Sequence, residues 1–154
     1  MTVLLDYRLS GSSDKRDRSA DFARVVDMAI YYDHFTGDLI FRLDGIDFSA
    51  RWRWVPILGA AILLEAIVAD LTPDGASDFY EFTESIARIH FLREDDRVSI
   101  STSYAPGVAE VSYAELRRAT KQFLTSVFDD FSREFPALIE NPFLRDTLAD
   151  RRRR

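Results

Sequence analysis

Glu81 and Glu84, with Asp78 just before them, form the best carboxylate cluster in this 154-residue chain. Two carboxyl groups at the right separation can share proton transfer, one as acid and one as base, as in glycoside hydrolysis. Histidine is the side chain whose ordinary pKa lies nearest neutrality, and the chain has two, His34 and His90. A small hydrolase or isomerase working through Glu81 or Glu84 with His90 is therefore one reading. Against it, Glu81 and Glu84 straddle the end of an expected strand, where a solvated rim is the simpler account. His34 follows Asp33 into a turn and reads as an exposed turn residue. His90 sits mid-strand between Ile89 and Phe91. No residue is assigned a catalytic role.

Other chemistry fares no better. The serines of Ser99-Ile100-Ser101-Thr102-Ser103 lack a Gly-x-Ser-x-Gly elbow or a Ser-x-x-Lys motif, and alternation on the wet face of a strand explains them. The six glycines are isolated, so no phosphate-cradling loop is present. Cysteine is absent, which excludes disulfides, thiol nucleophiles and cysteine-ligated metal sites. No metal ligand set and no cofactor are expected. Glu65 stands alone in an apolar helical run. Inside a core it would need a cation such as Arg51 or Arg53; the simpler expectation places it on the one exposed strip of its helix.

What remains is charge. The net charge is −6, and four of the 20 basic residues are the terminal run 151–154, so the body before them is more acidic still. An acidic surface repels nucleic-acid backbones and anionic membranes and speeds encounter with basic partners. Asp74, Asp78, Glu81, Glu84, Asp95 and Asp96 gather at expected strand ends and are the candidate partner-binding residues. No secretory signal opens the chain, and the most apolar run, 55–64, is about half of a membrane span. A cytoplasmic protein is the resulting expectation.

The elements that must hold these residues are more legible. Asp44-Gly45 stands between two alternating runs, the strongest short-range hairpin signal. It sets Ile46, Phe48, Ala50, Trp52 and Trp54 on a face to be buried and Asp47, Ser49, Arg51 and Arg53 on a wet one. Alternation also predicts a strand at 3–9 and another at about 24–33, the latter in competition with a short helix. The polar stretch 11–20 reads as a flexible loop. Pro56 ends the hairpin and opens a helix over 57–71, apolar on nearly every side and hence buried. Strands follow at 79–83, 86–93 and 97–104, with Glu94-Asp95-Asp96 as the middle turn. Ser112 and Glu115 have capping-box spacing, with Val111 and Leu116 as staple. From there an apolar stripe at three- and four-residue intervals runs to Phe135. Asn141-Pro142 starts a short terminal helix to about Ala149.

The segments Asp78-Phe-Tyr-Glu-Phe-Thr-Glu-Ser85, Ile100-Ser-Thr-Ser-Tyr-Ala-Pro-Gly107 and Val111-Ser-Tyr-Ala-Glu-Leu116, with Gly37-Asp-Leu-Ile-Phe41 and Asn141-Pro142, resemble small uncharacterised proteins of actinobacteria. The resemblance covers most of 25–148 and implies no catalytic residue. In size, acidity and lack of motifs the chain is also similar in type to immunity proteins of bacterial toxin systems. The expected fold is α+β: one domain over 1–150, with an antiparallel sheet of about six strands, two main helices on one face, a short C-terminal helix and the basic tail 151–154. The expected function is a non-enzymatic protein-binding module, an immunity protein for a basic toxin being one form. A self-associating module that pairs sheet edges is a third reading.

Overall fold

The computed structural model describes residues 3–11, 14–83 and 85–152. It is α+β, but the strands form two four-stranded antiparallel sheets where one six-stranded sheet was expected. In the first sheet β2 (Thr36–Leu43) is central, with β1 (Val3–Leu9) on one side and β3 (Ile46–Asp47) and β4 (Ala50–Pro56) sharing the other. The second is a meander of β5 (Asp74–Glu81), β6 (Arg88–Glu94), β7 (Arg97–Thr102) and β8 (Val108–Ser112).

Asp44 and Gly45 both take positive φ, 48° and 84°, as a two-residue hairpin loop requires. Beyond that turn the expected alternation fails. The step from Gly37 to Leu39 on β2 is matched on β4 by the step from Val55 to Ala50, so residues 51–54 bulge out of the ladder. Arg53 sits at φ 69°, its backbone N–H donating to Asp38 Oδ1 at 3.0 Å. Phe48, Ala50 and Val55 are buried, whereas Trp54 is 40% exposed. The helices were expected to cover both tryptophans. Instead Trp52 and Trp54 stack at 5.3 Å, and Trp52 meets Phe82 and Tyr104 edge-on at 4.9 Å. Tyr104 closes this seam between the sheets by donating its hydroxyl to the Phe48 carbonyl at 2.6 Å.

The run 11–20 contains the helix α1 (Asp14–Ser19), and the expected strand at 24–33 is the helix α2 (Asp27–Tyr32). Of its supposed strand face only Ile30 is buried; Val26 and Met28 are exposed. α2 crosses so close to α3 (Ile57–Asp70) that a Cβ on Gly59 would lie 2.5 Å from the Tyr31 carbonyl oxygen. Strand β6 starts at Arg88, because Ile86 is 92% exposed in the preceding loop.

The two long helices match their sequence signals. α3 is buried on nearly every side. α4 (Tyr113–Glu134) begins where Ser112 Oγ accepts from the Glu115 N–H at 3.1 Å, with Val111 and Leu116 wholly buried at the staple positions. Both helices touch both sheets: α3 packs on β2, β4 and β5, and α4 on β1, β7 and β8. A short 3-10 helix (Pro136–Glu140) leads to α5 (Pro142–Arg152), capped by Asn141 Oδ1 on the Leu144 N–H. α5 thus runs through the start of the expected basic tail.

Candidate functional site

Antiparallel pairing sets Asp74 at the start of β5 opposite Glu94 at the end of β6. Glu94 is followed by the tight turn to β7, where Asp95 takes φ 55° and donates its N–H to the Pro73 carbonyl at 2.8 Å. Asp96 is fixed from the other side, its carbonyl accepting the Tyr113 N–H at 2.6 Å. Asp74, Glu94, Asp95 and Asp96 are therefore four exposed carboxylates at one end of the second sheet. The nearby cations are engaged elsewhere. Arg93 lies 3.5 Å over the Tyr113 ring and donates to the Leu71 and Asp95 carbonyls at 2.7 and 2.8 Å. Arg97 donates to Glu110 Oε1 at 3.0 Å. Among the described residues no ion pair joins a cation to any of the four acids.

The other candidate acids lie elsewhere. Asp78 is in the body of β5 and accepts the Phe79 N–H at 2.7 Å. Glu81 is at the far end of β5, held by Arg88 Nε at 2.7 Å. Glu84 falls outside the described residues. The structure thus joins three of the six candidates, Asp74, Asp95 and Asp96, and adds Glu94. The signal for Glu94 was in the turn itself, since an acid just before Asp95-Asp96 must share their end of the sheet.

The carboxylate–histidine grouping is not assembled among the described residues. His90 is exposed on the outer face of the second sheet, between Phe79 of β5 and Ser101 of β7. Its ring contacts Phe79, with centroids 6.2 Å apart, and it takes part in no hydrogen bond among the described residues. Glu81 is diagonal to it, and Arg88, which holds that carboxylate, lies 4.1 Å over the Phe79 ring. Among the described residues no three His, Asp or Glu side chains converge as a metal site.

Two expectations are reversed inside the core. Glu65 was placed on an exposed strip; it is 0% exposed, and Arg117 Nη1 donates to its Oε1 at 2.7 Å. The partner comes from α4 rather than from Arg51 or Arg53, because α3 packs along α4 and leaves the hairpin cations outside. Arg51 instead pairs with Asp47 at 3.0 Å on the hairpin's wet face. His34, expected to be exposed, is buried, with Nδ1 donating to Asp17 Oδ1 at 3.0 Å. Asp17 also accepts the Phe35 N–H at 3.3 Å, and Phe22 packs edge-on against the His34 ring at 5.1 Å. This buried pair holds the polar segment 14–19 against the start of β2.

Burial also acts on hydroxyls. Burial first, then the Tyr32 charge, pushes the Tyr80 pKa well above its ordinary value; burial, then Tyr80 and Asp47, does the same to Tyr104. On the wet hairpin face Ser49, with Arg51, holds the Asp47 carboxyl down to about 2. No family model matches the chain, and no curated protein or solved structure matches it significantly. Among the described residues no helix is long and apolar enough to cross a membrane.

Proposed function

We propose that this protein is a non-enzymatic binding module that docks a basic protein segment on the acidic end of its second sheet. The observation that carries this is the set Asp74, Glu94, Asp95 and Asp96: four carboxylates fixed by a strand register and a tight turn, with the neighbouring cations already engaged. Such a cluster raises the rate of encounter with a positive surface and favours it over other partners. Neutralisation of a basic toxin, the activity of an immunity protein, is the form of this binding that the chain's size and acidity suit best.

The test is capture from the native host at low salt, comparing the natural chain with a variant carrying Asp74→Asn, Glu94→Gln, Asp95→Asn and Asp96→Asn. A basic protein retained by the first, released as salt screens the charges and not retained by the variant is the expected result. Equal retention by both chains, or no specific partner for either, overturns the proposal.

A further inference from the structure

We infer that β1 is a homodimerisation edge, pairing antiparallel with β1 of a second copy about a two-fold axis at Tyr7. Among the described residues β1 is bonded only to β2, so one of its sides is a free row of backbone groups. Which groups face out follows from the register. Phe41, opposite Leu5, turns its N–H away from β1 to Ser49 Oγ at 3.0 Å, and the Tyr7 N–H donates to the neighbouring Asp6 Oδ1 at 2.8 Å instead of to β2. Bonded and non-bonded pairs alternate along an antiparallel ladder. The N–H and C=O groups of Val3, Leu5, Tyr7 and Leu9 are therefore those presented at the free edge.

This edge has few of the usual defences. It spans seven residues, contains no proline, glycine or lysine, and exposes Leu4 and Leu9. The groove along it is walled by Ala119, Gln122, Phe123 and Ser126 of α4 and by one charge, Asp130, whose Oδ2 accepts the Tyr7 hydroxyl at 2.8 Å. Its two charges, Asp6 and Arg8, are two residues apart on the exposed face, opposite in sign.

That spacing selects the register. An axis at Asp6 sets Asp6 against its own copy, and an axis at Arg8 sets two arginines together; like charges directly opposite destabilise a sheet pair. An axis at Leu5 sets Asp6 against Leu4 and carries Arg8 past the start of the strand at Val3, so neither charge meets its opposite. An axis at Tyr7 pairs Asp6 with Arg8 of the second copy twice over, pairs Leu5 with Leu9 twice over, and makes Tyr7 a hydrogen-bonded pair with itself. The non-bonded positions, where opposed side chains come closest, are then those of the ion pairs. The Asp6 carboxylate now on the Tyr7 N–H is the group that moves to Arg8 of the second copy. Such an interface is isologous and closes at two chains.

Sedimentation equilibrium on the full chain at micromolar concentration is expected to give twice the 17.7 kDa chain mass. Asp6→Arg alone and Arg8→Asp alone each make all the charge pairs repulsive and weaken the dimer about tenfold or more. The double variant Asp6→Arg/Arg8→Asp restores complementarity and recovers the dimer, with circular dichroism showing each variant folded. A monomeric natural chain overturns the inference. So does a folded single variant that dimerises undiminished, or a folded double variant that does not recover.

Discussion

Acid groups sit in two kinds of place in this molecule, and the two do different work. Inside, Glu65 and Asp17 are enclosed and each meets a nitrogen donor: Arg117 from the next helix, His34 from the turn between α2 and β2. Outside, Asp74, Glu94, Asp95 and Asp96 lie together without an ion pair among the described residues. A buried charge without its partner bears the full cost of leaving water, so the inner acids act as tertiary fasteners. An exposed charge costs the fold little and projects its field outward. The same residue types thus serve stability in one region and encounter in the other.

Removing a partner inside should break this contrast most strongly. Arg117→Met leaves the fully buried Glu65 without that cation and should cost about 3–5 kcal/mol in urea unfolding; Glu65→Gln/Arg117→Met together should cost less than Arg117→Met alone. If the double variant is the less stable, the pair is not the fastener described. Next comes Asp17→Ala, which strips both the His34 ring and the Phe35 N–H of their acceptor. A loss of about 1–3 kcal/mol is expected, with faster hydrogen exchange at Phe35.

The outer acids should respond in the opposite sense. The four-fold neutralisation of Asp74, Glu94, Asp95 and Asp96 should change stability by no more than about 0.5 kcal/mol, while partner association loses its salt dependence. A large stability change there would erase the distinction between the regions. The smallest effect belongs to Asp47, which is exposed yet bonded to Ser49 and Arg51. Its folded pKa lies below the ordinary 3.8, at about 2. Its contribution is therefore present above about pH 4 and fades as pH falls towards 2. Asp47→Asn should lower the melting temperature slightly at neutral pH and progressively less towards pH 2, which removes a shallow acid-side slope.

The polar segment 11–20 shows why the inner acids were hard to read. Asp17 lies in a run of charges with no apolar period, the pattern of a loop, and its partner His34 is 17 residues away in a turn. Only the packing of α1 against the start of β2 brings them together. Glu65 was half legible: an isolated charge in an apolar helix announces a need for a partner, but a choice among arginines requires the path of the chain. The outer acids were more legible, because a hairpin turn and its flanking strands are local.

By itself the sequence determined what local rules govern: the Asp44-Gly45 turn, the buried character of α3, the capped start of α4, the 95–96 turn and the α+β class. Each follows from contacts a few residues apart, where φ, capping hydrogen bonds and periodicity act. Tertiary structure alone decided the division into two sheets, the bulge at 51–54 and the partners of Glu65 and His34. A bulge re-aims side chains without changing their alternation in sequence, so Trp52 and Trp54 read as one buried row. They serve as the seam between two sheets because Phe82 and Tyr104 come to meet them, and that meeting is fixed by how helices α3 and α4 pack against both sheets.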